Sequence, residues 1–60
     1  MKLYEFTRSK NGKKVYIRDS AITAVSFDDG ETSIFTVGDP VPFTVKESIG
    51  EVLRTITETP

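Results

Sequence analysis

Ile49, Val52, Leu53 and Ile56 stand at i, i+3, i+4 and i+7, and this apolar stripe at helical period constrains the fold more than any other feature of the chain. Glu51, Arg54, Thr55 and Glu58 take the opposite side, so the spacing predicts an amphipathic helix over residues 48–58. Ser48 followed by Glu51 fits a capping box, in which each side chain satisfies the other residue's otherwise unpaired backbone amide. Gly50 in the first turn costs about 1 kcal/mol of helix propensity relative to alanine. A helix this short and this handicapped must dock to persist, so its stripe is expected to cover one face of a sheet. Thr57-Glu58-Thr59-Pro60 reads as a short frayed tail.

The residues before the helix alternate at period two between turn signals. In residues 2–8 Tyr4 and Phe6 alternate with Leu3, Glu5 and Thr7, and Ser9-Lys10-Asn11-Gly12 supplies a hairpin turn. The strand over 13–18 carries Val15 and Ile17 on one face and Tyr16 on the other. Asp19-Ser20-Ala21 makes a tight corner through side-chain bonds to nearby amides, with Ile22 filling the core beside it. Residues 23–27 form a third strand with Val25 and Phe27 inward, followed by a hairpin turn at Asp28-Asp29-Gly30-Glu31. In residues 32–37 Phe35 and Val37 share a face and Ile34 takes the other. Gly38-Asp39-Pro40 breaks the run, and Val41, Phe43 and Val45 alternate through a fifth strand over 41–46 whose start Pro42 makes irregular or peripheral. The fold class expected is α+β: one small antiparallel sheet of five strands in meander order, open or curled into a barrel, with the C-terminal helix packed on it.

Sixty residues make a single domain, and a chain this short buries only about 60% of its unfolded surface, which leaves room for partners to add stability. Cysteine, histidine and tryptophan are all absent. A disulfide framework, a thiolate metal site, a cysteine nucleophile and the usual neutral-pH general base are therefore excluded together. The chain is expected not to be an enzyme and to need no cofactor or metal. No apolar run is long enough to span a bilayer and the N-terminus does not read as a signal peptide, so a cytoplasmic protein without membrane insertion is expected.

Charge is distributed unevenly. Up to Arg18 the cations Lys2, Arg8, Lys10, Lys13, Lys14 and Arg18 face Glu5 alone, whereas beyond it Lys46 and Arg54 face eight carboxylates. Such a dipolar chain can attract an anionic partner to its basic hairpin or pair with copies of itself. Arg8, Lys13, Lys14 and Arg18 are the candidate residues for a small anionic ligand such as a nucleotide. Lysines interleaved with Tyr4, Phe6 and Tyr16 also outline a nucleic-acid surface, against which stands an isoelectric point near 5.2. Asp28, Asp29, Glu31 and Asp39 miss the EF-hand spacing, and turn chemistry accounts for them better than a cation site. Tyr16 and Ile34, with Leu3, fall on the face the helix leaves uncovered and are the candidate protein interface.

The order of these features resembles the small flagellar FlbD/SwrD-type family of short bacterial proteins. The matching residues are Phe6-Thr7-Arg8 with Asn11-Gly12, Val15-Tyr16-Ile17, Ile22 with Val25, Ser33-Ile34-Phe35-Thr36 with Gly38, and Val45-Lys46-Glu47-Ser48 with Glu51-Val52 and Ile56. Arg18 departs from the asparagine typical after the second strand, and Gly38-Asp39-Pro40-Val41-Pro42 adds prolines to a plain glycine turn. Similar short sequences occur among stand-alone bacterial and bacteriophage proteins. The resemblance implies a non-enzymatic accessory protein without catalytic residues to transfer. The function expected is protein binding with self-association, with sequestration of an anionic ligand by an oligomer as the alternative and nucleic-acid binding as the second alternative.

Overall fold

Positive φ angles mark all three connections between paired strands: 73° at Gly12, 52° and 77° at Asp29 and Gly30, and 84° at Gly38. The Asp-Gly pair holds both central positions of a two-residue turn in the left-handed region, the geometry whose twist suits antiparallel strands. In the computed structural model, which describes residues 2–58, five strands flank these turns: β1 (Leu3–Thr7), β2 (Lys14–Arg18), β3 (Ile22–Asp28), β4 (Glu31–Thr36) and β5 (Phe43–Val45). A helix, α1 (Ile49–Glu58), follows. The tail read at residues 57–60 is helical as far as Glu58, and its last two residues lie outside those described.

The architecture is α+β and every strand pair is antiparallel, but the expected single meander is divided. One sheet has the order β1-β2 and the other β3-β4-β5. The division lies at Asp19–Ala21, a 3₁₀ turn where the chain changes partners. Before it, the Asp19 amide donates to the Lys2 carbonyl at 3.0 Å; after it, the Ala21 carbonyl accepts the Val37 amide at 2.8 Å. Since Arg18 and Ile22 are both extended, the corner redirects the chain instead of reversing it, and β3 never pairs with β2. The sheets meet once more, where β1 runs on past its hairpin: Arg8 bridges Val45, the Ser9 amide donates to Thr44 and the Lys46 amide to Thr7.

Between the sheets lies a core of Tyr4, Phe6, Val15, Ile17, Ile34 and Val45, closed by Val52 of α1. The inward phase of β1 and β2 agrees with their alternation. That of β4 is inverted: Ile34, expected on the uncovered face, is completely buried, and Phe35 and Val37 are exposed. Thr32 and Thr36 share the inner face with Ile34, and Thr36 Oγ1 donates to Asp39 Oδ2 at 2.8 Å, which removes the cost of burying its hydroxyl. In β3 a register shift between Ile22 and Ala24 resets the alternation. Val25 packs on the core, while Phe27, expected inward, is 57% exposed at the hairpin end.

The capping box forms as expected: the Ser48 amide donates to Glu51 Oε1 at 3.3 Å and the Glu51 amide to Ser48 Oγ at 3.2 Å. α1 lies along β3 with Val52 fully buried and Ile49 and Ile56 half-buried. Leu53 stands about 100° round the helix from Val52 and stays 46% exposed, so the seat is narrower than the stripe.

Candidate functional site

Three features could engage a partner. The first is the outer face of the β1–β2 hairpin. Because Tyr4, Phe6, Val15 and Ile17 point into the core, Leu3, Glu5, Thr7, Lys14, Tyr16 and Arg18 point outward. The register sets Leu3 opposite Arg18 and Glu5 opposite Tyr16, making Leu3 and Tyr16 diagonal neighbours on one surface. Each is 60% exposed. Lys14 completes the row, its Nζ 3.2 Å from Glu5 Oε2 and donating to Thr7 Oγ1 at 3.1 Å. Ile34, assigned to the same interface from the sequence, is in the core and contributes nothing to this surface.

The second feature is the tip of the β3–β4 hairpin, where Phe27, paired with Thr32, and the Asp28–Glu31 pair point to opposite faces with Asp29 in the turn between them, all four exposed. Asp28 pairs with Glu31 across the turn. No three acidic side chains among the described residues are placed to share a metal ion.

The third is a cleft of about 260 Å³ lined by Arg8, Lys10, Val41, Pro42, Phe43 and Thr44. The guanidinium carbon of Arg8 lies 5.2 Å from the centre of the Phe43 ring, a cation–π contact. The four cations assigned to an anion site from the sequence therefore separate. Arg8 turns toward β5, Lys14 and Arg18 stay on the hairpin face, and Lys13 sits in the turn with its amide donating to Asn11 Oδ1 at 2.9 Å. Sequence reasoning counted Lys10 among the hairpin cations but not in the small-anion site, and missed Val41–Thr44, since no local signal tells that residues 41–44 will lie beside Arg8. The long-range Arg8–Val45 bridge brings them together.

Glu47, at the junction of the sheets, has the one resolved titration shift among the described residues. Partial burial pushes its carboxyl upward, but the Thr7 amide, its own amide and the charge of Lys14 outweigh this and hold it below the ordinary 4.5. No helix among the described residues is long and apolar enough to cross a membrane. No protein-family model, curated protein or solved structure matches the chain, so its function has to be argued from these three features.

Proposed function

We propose that the chain is a non-enzymatic binding module that associates with a second copy of itself, the hairpin face of one molecule docking on the β3–β4 tip of the next. The observation that supports this is a complementary pair of patches. Tyr16 and Leu3 share their face with Lys14, Arg18 and Glu5, the last paired with Lys14, and Phe27 stands on the Thr32 side of a hairpin tip whose turn and other side carry Asp28, Asp29 and Glu31. Each element presents an exposed apolar side chain, and their net charges are opposite: positive on the hairpin face and negative at the β3–β4 tip. Two different patches meeting make a heterologous contact, which closes into a ring or propagates according to the rotation between copies. This reading agrees with the accessory role that the flagellar family resemblance implies, in bacteria or bacteriophage.

Light scattering behind a sizing column tests it. The wild-type protein should exceed monomer mass and approach it as salt is raised. Tyr16→Ser and Phe27→Ser should each abolish association alone. Mixed, they should form a one-to-one pair and nothing larger, since each retains the patch the other has lost. A wild-type protein that stays monomeric at high concentration, or association that both variants leave intact, would refute the proposal.

A further inference from the structure

We propose that the cleft beside Arg8 binds a small organic anion, a carboxylate or phosphate carried on an apolar body. This site is separate from the self-association surfaces, and its walls are built from both sheets. Arg8 and Lys10 belong to the end of β1 and the turn after it, and Phe43 and Thr44 belong to β5. The walls are held at a fixed separation: the Ser9 amide donates to the Thr44 carbonyl at 2.9 Å and the Lys46 amide to the Thr7 carbonyl at 2.8 Å, on either side of the Arg8–Val45 bridge. Pro42, with its φ fixed by the ring, stiffens the rim.

The chemistry of the lining selects the ligand. Val41, Pro42 and Phe43 offer apolar contact, and Arg8 and Lys10 supply two positive charges. No carboxylate lines the cleft, and neither cation has an ion pair among the described residues, where Lys14 with Glu5 forms the one salt bridge. The Arg8 guanidinium lies over the Phe43 ring, 5.2 Å from its centre. Its N–H groups make no hydrogen bond or ion pair among the described residues, and their fork geometry is one that carboxylates and phosphates accept two at a time. A charged head beside an apolar tail satisfies both halves of the lining.

Calorimetric titration of the full chain with phenyl phosphate, benzoate and uncharged benzyl alcohol tests the assignment. Saturable one-to-one binding of at least one anion is expected, with none of the alcohol. Tighter binding of phenyl phosphate would assign a phosphate ligand, and tighter binding of benzoate a carboxylate. Arg8→Gln should weaken binding by about tenfold or more, whereas Arg18→Gln, on the hairpin face, should leave it unchanged. Amide shifts in the wild-type protein, which do not depend on a variant folding, should concentrate at Arg8, Lys10, Phe43 and Thr44. Absence of saturation by either anion, equal losses in the Arg8 and Arg18 variants, or shifts spread over all the lysines would overturn the proposal. Because Tyr16→Ser removes self-association and leaves the cleft intact, it should bind the anion like wild type. The two proposals can therefore fail independently.

Discussion

The carboxylate of Glu47 takes the Thr7 amide on both its oxygens, at 2.9 and 3.1 Å. Thr7 sits where β1 turns from its hairpin partner toward β5, and its carbonyl already receives the Lys46 amide at 2.8 Å. One residue further along, at Glu47, the chain bends toward α1. There the Glu47 side chain, in place of a strand carbonyl, accepts the Thr7 amide and closes the seam between the two sheets.

Glu47→Ala should therefore destabilise the fold by about 1 kcal/mol, the low side of the range for charged hydrogen bonds because the group keeps contact with water. The effect should depend on pH. The folded carboxyl titrates below its unfolded value of 4.5, so the unfolded chain takes up the proton first on acidification. The stabilisation is present in full above the unfolded value and is lost as pH falls through the lowered folded value. Urea midpoints of wild type and Glu47→Gln, followed from neutral to acid pH, should converge in that window.

Ile34 and Phe35 are adjacent in β4, and their exchanged positions give a direct test of its phase. Ile34→Ala removes a fully buried side chain and should cost about 2–5 kcal/mol, enough to unfold a domain of this size at ambient temperature. Phe35→Ala removes the larger side chain, but one that is 39% exposed on the outer face, and should cost less, about 1 kcal/mol. Chemical denaturation of the two variants checks both values, and the reverse ranking would mean that β4 is turned over.

That inversion shows where the sequence is legible. Turns and caps act within a few residues, so Asn11-Gly12, Asp29-Gly30 and Ser48 with Glu51 mark the hairpins and the helix start directly. The phases of β1 and β2 are equally readable because their inward residues are all large and apolar. In β4 the inward row is Thr32, Ile34 and Thr36, against an outward row containing Phe35, so hydrophobicity alone points the wrong way. What decides it is non-local or turn-dependent: the register shift in β3 and the Thr36–Asp39 bond. The cleft is least legible of all. Its two walls are dozens of residues apart in the chain, and long-range contacts, the Arg8–Val45 bridge with the Ser9–Thr44 and Lys46–Thr7 hydrogen bonds beside it, make them neighbours.

Gly30 has a φ of +77° and no atom within 4 Å of where a Cβ would stand. A side chain there would meet open space, so any cost of Gly30→Ala comes from the backbone conformation alone, about 1 kcal/mol or slightly more. Asp29, at φ 52°, already bears the same kind of strain. Asn tolerates the left-handed region at least as well as Asp, so Asp29→Asn should hold stability within about 0.5 kcal/mol. Thermal melts of the pair separate a conformational requirement from a packing one, since a bulk effect would penalise neither.

α1 should be inseparable from the sheets in unfolding. Ten residues with a glycine in the first turn cannot hold a helix in water, so what keeps this one formed is the cap and the burial of Val52 between Ile49 and Ile56. Ser48→Ala leaves the Glu51 amide without its side-chain acceptor and should cost about 1 kcal/mol. Val52→Ala opens a void where α1 meets the core and should cost more, on the order of 2 kcal/mol. In both variants the helical circular-dichroism signal and the tyrosine fluorescence, to which core Tyr4 contributes, should be lost at the same urea concentration. If the helical signal disappears first, with the fluorescence transition unmoved, α1 is an appendage and Val52 does not belong to the cooperative core.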